Sequence, residues 1–377
     1  MNTKLALLLC MALYGCGAKT LDVGSHPGAG GSSGGSTPVD GTHSTVLIPH
    51  LLTPHRLAVE GDYLYWLRYG ETAREIGRCE KRNCQSTQEV VIRDTTLDGL
   101  VVRNETLYFA WQGGIASCKP SDCATPEVIV KQGTPPAFVD ESHVFWISFS
   151  DNAILSCPLT GCEKATAAAA TGVGTIISGM TTDETQIYWT VFSGSPTEWD
   201  KFSLMSARKD GSTAPKRMAS GLVKPTSLAT DGGFVYWASL DAAGAIARCP
   251  TSGCADGKPD IVASQHYYPQ RLTASGGQLF WLDETEPSEK LDTQITRPGK
   301  VFGCSAASCA DSLELLDESM AGGLLPPNRV LSMPPQQMVA DAEALYWFGD
   351  VVPLIGPDGG LVALDISVRR LERRPRK

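Results

Sequence analysis

Apolar residues in this chain fall in short runs that return on a fixed frame. Seven aromatic pairs mark it: Tyr65-Trp66, Tyr108-Phe109, Phe145-Trp146, Tyr188-Trp189, Tyr236-Trp237, Phe280-Trp281 and Tyr346-Trp347. An aliphatic residue precedes every pair (Leu64, Leu107, Val144, Ile187, Val235, Leu279, Leu345). Eight positions before each pair stands another small or apolar residue: Leu57, Leu100, Ala137, Met180, Leu228, Leu272 and Met338. Offset minus five is Asp in four copies (Asp140, Asp183, Asp231, Asp341), and offset minus eleven is Pro in four (Pro54, Pro225, Pro269, Pro335). Two offsets held in all seven copies and two more in four of them establish an internal repeat.

The runs are β-branched and aromatic, broken by Asp, Gly, Pro and Ser, and no stretch keeps a 3.6-residue period long enough for a helix. An Asp between two such runs closes a hairpin through an Asx turn. Each copy therefore reads as four strands. Strand a spans offsets minus nine to minus six, and strand b crosses the aromatic pair. Strand c holds segments such as Ile246-Ala247-Arg248-Cys249, and strand d is the next apolar run, as at 89–92 and 127–130. Repeats of this length with four short strands predict a β-propeller, whose blades bury their faces only against neighbours. The expected fold is all-β: seven four-stranded blades in one domain, residues 44–377, at about 48 residues per copy (334/7). The Trp of the pairs are expected to pack between blades rather than to form a sugar platform.

Closing the ring is a problem of edges, because an open propeller leaves two unpaired strands. Copy seven offers a strand c at 361–365, but the Arg-rich sequence after it makes a poor strand d. Residues 44–49, S-T-V-L-I-P, match the d strands elsewhere and precede the first pair at a similar distance. An N-terminal strand at 44–49 is expected to complete blade seven.

Upstream of the repeats, Lys4 is followed by an apolar run over 5–14, too short to span a bilayer. Leu13-Tyr14-Gly15-Cys16 resembles the lipobox of bacterial lipoproteins, with Tyr14 a less usual residue at its place. The resemblance implies a signal peptide at 1–15 and lipidation of Cys16; a plain secretory signal is the alternative, and either one exports the protein. Residues 16–43 are Gly/Ser-rich and nearly free of large apolar side chains, the composition of a flexible tether. Gly17 stands where, by resemblance to enteric lipoproteins, an Asp would favour inner-membrane retention, so a lipid anchor in the outer membrane of the cell envelope is the expected address.

Formal charge is modestly negative, at −9, which argues against a nucleic-acid partner. The one basic run, 368–377, reads as a solvated end. Twelve Cys are present. Setting aside Cys10 and Cys16, the rest form five C-x4-C pairs: Cys79/Cys84, Cys118/Cys123, Cys157/Cys162, Cys249/Cys254 and Cys304/Cys309. Even number, constant spacing and export predict a disulfide across each c–d hairpin. Zinc would need shorter pairs and two sites brought together, which a radial array prevents. In copy four the two positions read as Ala207 and Ser212, and in copy seven as Leu364 and Arg369, so both partners vanish together.

Copy four carries Tyr188-Trp189-Thr190, Lys209-Asp210-Gly211-Ser212 and the following Asp231, an order that resembles the YWTD repeats of low-density-lipoprotein-receptor propellers. Those propellers usually have six blades, and this chain shows seven pairs. The copies with C-x4-C also resemble uncharacterised propeller lipoproteins of myxobacterial genomes, a resemblance that brings no established activity.

In a propeller the a–b and c–d turns share one face, here the face of the Asp turns and Cys pairs. The b–c and d–a connections share the other, and length variation falls there: 192–202, 283–299 and 317–334. Binding residues usually sit on such loops. Offsets minus ten and minus nine should ring the channel mouth on that face, placing His55, Arg56, Asp98, Thr226, Ser227, Gln270, Arg271, Gln336 and Gln337 there. His266-Tyr267-Tyr268 and Trp199 could add flat surfaces. Two Arg with amides and aromatics suit a carbohydrate or a carboxylate-bearing ligand, although any channel mouth is wet and therefore polar.

Catalytic motifs are missing: the six His show no metal-ligand spacing, and neither G-x-S-x-G nor a P-loop occurs. Lactonase-type propellers need carboxylates along the channel for calcium. Offset minus six here gives Val59, Val102, Val139, Thr182, Thr230, Ala274 and Ala340. No metal or cofactor is expected, although Glu284, Glu286 and Glu289 lie in a long loop. The sequence favours a monomeric, lipid-anchored binding or scaffolding module with an envelope protein or carbohydrate as partner. The alternative is a lactonase-like hydrolase or lyase with its groups in the long loops of copies four, six and seven.

Overall fold

Each aromatic pair occupies the second strand of a four-stranded antiparallel sheet, and seven such sheets form a ring, a seven-bladed propeller. The computed structural model describes residues 44–70, 72–148, 150–162, 164–170, 176–192, 202–239, 244–284, 299–317, 337–355 and 361–373. The expected signal peptide, Cys16 and the tether at 16–43 lie outside them. Blade 1 shows the plan: strands a to d at Pro54–Glu60, Tyr63–Tyr69, Arg74–Glu80 and Glu89–Asp94. Strands a line the channel, with those of blades 4 and 5, 5 and 6, 6 and 7, and 7 and 1 side by side.

Why a pair of aromatics? Successive strand residues point to opposite faces, so the pair covers both faces of its blade. The second member reaches the preceding blade: Trp237 packs with Tyr188, Phe202 and Leu204 of blade 4, and Trp281 with Tyr236 and Ile246 of blade 5. Around the ring Trp66 meets Tyr346 and Phe348, Phe109 meets Tyr65, Trp146 meets Tyr108, Trp189 meets Phe145 and Trp347 meets Phe280. The first member of one pair thus becomes the floor for the second member of the next. Gly77, across from Trp66, has no room for a side chain: a Cβ there would lie 2.6 Å from the indole.

The aliphatic residue before each pair fixes the register of strand c. Leu64 faces Cys79, Leu107 Cys118, Val144 Cys157, Val235 Cys249 and Leu279 Cys304. All five expected disulfides form, each inside one copy. Cys79–Cys84, Cys118–Cys123 and Cys157–Cys162 have Cα atoms 4.8, 5.1 and 5.8 Å apart. Cys249–Cys254 and Cys304–Cys309 follow at 4.8 and 4.9 Å. All five fall within the span a disulfide bridges.

Each bond closes a c–d hairpin as expected, but the second cysteines do not share one setting. Only Cys123 lies on strand d, Asp122–Val130. Cys84 sits in the turn before strand d, buried against Leu64 and Trp66. Cys162 makes an isolated parallel bridge to Val130 of the preceding blade. Cys254 precedes a 3-10 turn at Ala255–Gly257, and Cys309 opens a one-turn helix, Cys309–Ser312. The C-x4-C spacing fixes where the loop closes, and the residues after it decide what backbone follows.

Ile187 faces Ala207, as expected for copy four. Copy seven is a correction: Leu345 faces Leu371, so Leu371 rather than Leu364 holds the first cysteine position. Its strand c runs Leu361–Glu372, so residues 368–372 of the basic run belong to that strand, and residues 374–377 lie outside the described residues.

Strand d of blade 7 comes from the other end of the chain. Thr45–Leu52, three residues longer at its C-terminal end than expected, pairs antiparallel with strand c through Thr45 opposite Arg370 and Leu52 opposite Asp365. One residue, Thr53 at φ 46°, then carries the chain into strand a of blade 1. Ile48 and Leu51 are buried against Trp66, Tyr346 and Phe348, which closes the ring with apolar surface as well as backbone bonds.

On the disulfide face the blades are joined by a two-position code. Asp140, Asp183 and Asp341 each close their own turn as Asx caps, accepting two backbone N–H groups at 2.8 Å through Oδ1. The second oxygen of Asp183 accepts from Tyr188 of its own blade at 2.5 Å, whereas those of Asp140 and Asp341 meet a cation of the next blade. Two residues past the first cysteine position, Lys209 reaches Asp140 at 3.2 Å, and Lys81 reaches Asp341 at 2.7 Å. Arg373, at the same place in blade 7, bonds Ser275 Oγ and Gln278 Oε1 of blade 6, each at 3.0 Å. Between blades 1 and 2 and between 5 and 6 the linking residue is replaced by Pro120 and Ala306. There the offset-minus-five carboxylate bonds forward instead: Glu60 takes the N–H of Asn104 and Glu105 at 2.7 and 2.8 Å, and Asp231 takes that of Gly277.

Candidate functional site

Strand a carries a bulge near its start in five blades, where register slips between Pro54 and Arg56, Asp98 and Val101, Ile177 and Gly179, Pro225 and Leu228, and Gln270 and Thr273. A bulge re-aims the side chains beside it, and these are the offsets expected to ring the channel mouth. At the junction of blades 1 and 2 it gathers a cluster. His55 stacks on Tyr69, with ring centroids 3.8 Å apart and planes 20° off parallel. The Arg74 guanidinium lies 4.2 Å from the same Tyr69 ring. It donates to Leu97 O at 2.7 Å and stands 3.7 Å from the Asp98 carboxylate. Arg56 is exposed beside them.

Electrostatics follow from this packing. His55 shows an exposed edge, but its stacked face is dry; that burial, and next the positive charge of Arg56, hold the imidazole below its ordinary value of 6.5, against an opposing pull from Asp98. The ring is therefore neutral at pH 7. Burial and then the Asp98 carboxylate push the Tyr69 hydroxyl above 10, so it remains a hydrogen-bond donor. The cluster offers two guanidinium groups, a neutral imidazole and a phenol against one carboxylate, a set that suits an acidic or hydroxylated small ligand.

Other expected mouth residues are placed differently. Gln337 Oε1 accepts from Leu57 N at 2.6 Å, and Ser227 Oγ accepts from Leu272 N at 2.9 Å. Both sit at offset minus nine and reach the same backbone position of the following blade. Their polar groups join blades. Gln270 and Arg271 are buried, Arg271 at φ 57°, so Arg56 and Arg271 do not present equally to solvent. Thr226 is half-buried. Gln336, Trp199, Glu286 and Glu289 lie outside the described residues, as does most of each of the three long loops.

His266 turns inward, which corrects its expected place among flat exposed surfaces. Its Nδ1 is 2.6 Å from Asp283 Oδ2, and its ring packs edge-on to Trp281 and Phe302. Tyr267 and Tyr268 stay half-buried, in a T-shaped pair with centroids 4.7 Å apart. Midway down the channel the wall is apolar and hydroxylic: Thr230 Oγ1 donates to Thr182 O at 2.7 Å, and valines and alanines hold the other offset-minus-six places. Among the described residues, no three His, Cys, Asp or Glu side chains come together as a metal site.

Tyr69 and Arg74 were missed by sequence reasoning because they flank the b–c connection of copy one, which is short and so attracted no notice. An aromatic and an arginine five residues apart across that connection were the available signal.

No family model matches the chain, and no curated protein sequence matches it. Among solved structures it is similar to an oligogalacturonate lyase in complex with manganese, at 8% identity and TM-score 0.55, over 89% of this chain and 98% of that one. It is similar as well to an oligogalacturonate lyase from Vibrio parahaemolyticus, at 9% identity and TM-score 0.52, over 88% and 93%. The nidogen/laminin complex contains a chain at 17% identity and TM-score 0.42, over 68% and 89%. Identities this low speak to the propeller fold alone.

Proposed function

We propose that this chain is an exported propeller, lipid-anchored through Cys16 to the cell envelope, that works as a binding module. The observation that carries the binding role is the cluster of His55, Arg56, Tyr69, Arg74 and Asp98 where the innermost strands of blades 1 and 2 open onto the loop face. The paired strands a, b and c of blade 1 and strand a of blade 2 hold those groups in place without a ligand, so little ordering entropy is lost on binding. Two guanidinium groups with a phenol and a neutral imidazole favour a small carboxylate or a sugar acid. The lipobox-like Leu13-Tyr14-Gly15-Cys16 and the Gly/Ser-rich segment behind it support an anchored module on a tether, in keeping with the resemblance to C-x4-C propeller lipoproteins.

A hydrolase or lyase reading finds less support. The likeness to oligogalacturonate lyases brings no chemistry across at 8% identity, and the His266–Asp283 pair is walled in by Trp281 and Phe302.

The test is a thermal-shift titration of the full chain in detergent with glucuronate and with muramyl dipeptide. A ligand that binds only the folded state adds about 2.7 kcal/mol at a hundredfold excess over Kd. The expected result is a saturable rise in Tm that is lost in Arg56→Ala/Arg74→Ala. A rise that survives both substitutions overturns the site. Labelling with a palmitate analogue, in wild type and in Cys16→Ser, tests the anchor separately.

A further inference from the structure

The disulfide face carries a feature the mouth does not explain. The junctions of blades 1 and 2 and of blades 5 and 6 each hold an open cleft, of about 690 and about 530 Å3. The two are built from the same repeat positions. At offset minus two Tyr63 or Phe234 forms one wall, and the first aromatic of the pair, Tyr65 or Tyr236, forms the floor. The ring centroids of these two residues are 6.2 Å apart and tilted 46° in the first cleft, and 6.1 Å and 46° in the second. The residue before the first cysteine is Arg78 or Arg248, whose guanidinium lies 4.6 or 4.4 Å from the wall ring. The far side is the next blade's disulfide turn at Pro120 or Ala306.

Charge decides what such a cleft can take. Each guanidinium already faces a carboxylate from strand d of its own blade: Arg78 meets Glu89 at 2.5 Å, and Arg248 meets Asp260 at 3.7 Å while its Nη1 donates across the cleft to Ala306 O at 2.8 Å, so only the remaining N–H groups of each guanidinium are left for a ligand. Asp62 and Glu60 in one cleft, and Asp231 in the other, add acid to the lining. A free anion gains nothing here. What remains is a fork of N–H donors, carboxylate acceptors, a phenol and the edge of an aromatic ring, all at one spot. Burial pushes both tyrosine hydroxyls above their ordinary value, so they stay protonated. Adjacent hydroxyls on a sugar ring both donate and accept, and a rim mixing donors with acceptors satisfies them together while the ring's C–H face lies on the aromatic wall.

We propose that these two clefts are equivalent subsites for a neutral saccharide chain, on the face opposite the mouth and independent of the ligand bound there. Two copies on one rigid ring, four blades apart in one direction and three in the other, suit a polymer that presents the same unit repeatedly. Binding at both sites then gains from effective concentration, by roughly 10²-fold or more when the polymer spans them.

The bridged junctions supply the test. Pro120→Lys and Ala306→Lys place in each open cleft the residue type that bridges the junctions of blades 7 and 1 and of blades 3 and 4. Isothermal titration of the full chain with chitohexaose, cellohexaose and mannohexaose should show two equivalent sites for at least one of them. Each substitution should remove one site, and the pair should remove both with Tm unchanged or raised. Arg78→Ala and Arg248→Ala should do the same by deleting the fork. Three results, each measured in the Arg56→Ala/Arg74→Ala background that removes the mouth site, overturn the proposal: no binding of any hexasaccharide, binding that survives the double Lys variant, or preferential binding of hexagalacturonate, which would make the clefts anion sites. None of these bears on glucuronate at the mouth, so the two readings fail separately.

Discussion

The junction between blades 7 and 1 and that between blades 1 and 2 share their apolar core and differ in their outer seam. In both, an aromatic from the later blade packs on a tyrosine of the earlier one, Trp66 on Tyr346 and Phe109 on Tyr65. At the first, Lys81 then crosses to Asp341 beside that tyrosine, and a separate cavity of about 460 Å3 lies next to it among Arg82, Glu343, Arg370, Glu372 and Arg373. At the second, Pro120 stands in the lysine's place, Glu60 turns to the neighbouring backbone, and a cleft remains. Blades are thus held by their aromatic layer, and the polar seam is free to vary. A repeat protein can open a site at one junction without loosening the ring, because the two layers are separate in space.

This comparison breaks if the seam carries the stability. Trp66→Ala and Phe109→Ala should each cost about 3–5 kcal/mol in chemical denaturation, the same at the bridged junction as at the open one. A much larger loss at the bridged junction would tie stability to the seam. Next in size are the staples. Cys79→Ala/Cys84→Ala and Cys118→Ala/Cys123→Ala each open a short loop and should cost about 2 kcal/mol, the low end of the range, and non-reducing peptide mapping should show no bond between different copies.

Smaller still is the seam itself. Lys81→Met should cost about 1.5 kcal/mol, the low end for a charged hydrogen bond, because Asp341 keeps some access to water; the measurement is the denaturation midpoint at constant slope. The smallest effect is one of pH. Burial alone would raise Asp140 and Asp341, but their Asx-turn N–H groups and the lysines Lys209 and Lys81 outweigh it and hold both below the ordinary 3.8. Their folded value is depressed, so the stability they add is full above 3.8 and fades as pH falls through the lowered value. Melting followed from pH 6 to pH 2 should show that loss, and Asp140→Asn/Asp341→Asn should flatten it. An unchanged acid limb would remove the seam carboxylates from the account.

How much of this was legible beforehand depended on the range of each interaction. The aromatic frame, the Asp turns and the pairing of the cysteines are local, decided within one copy, and the sequence alone locates them. The varied backbone at Cys84, Cys162, Cys254 and Cys309 was not legible, because four intervening residues fix the bond and leave the following turn open. Blade 7 misled at its third strand because without cysteines nothing local marks the register; Leu345 opposite Leu371 shows it only in three dimensions. The seam code was invisible for a related reason. Whether the second oxygen of Asp140 finds a cation depends on Lys209, which is 69 positions away in another copy. The offsets name His55, Arg56 and Asp98, which gather with Tyr69 and Arg74, whereas Gln337 and Ser227 share those offsets but are drawn into blade-to-blade bonds. His266 was expected to add a flat surface beside Tyr267 and Tyr268, and the Asp283 that draws it inward is on the next blade.

Thr45–Leu52 also sets a clock on assembly. Thr45 and its partner Arg370 are 325 positions apart, so the strand made first among these must wait for nearly the whole chain before its partner exists. Until then six blades can stack, but Ile48 and Leu51 have only the blade 1 half of their pocket, without Tyr346 and Phe348, and both ends of the stack expose raw strand edges of the kind that recruit other chains. A nascent or arrested chain is therefore sticky at both ends, and the 12 residues of Leu361–Glu372, by arriving, remove both hazards in one event.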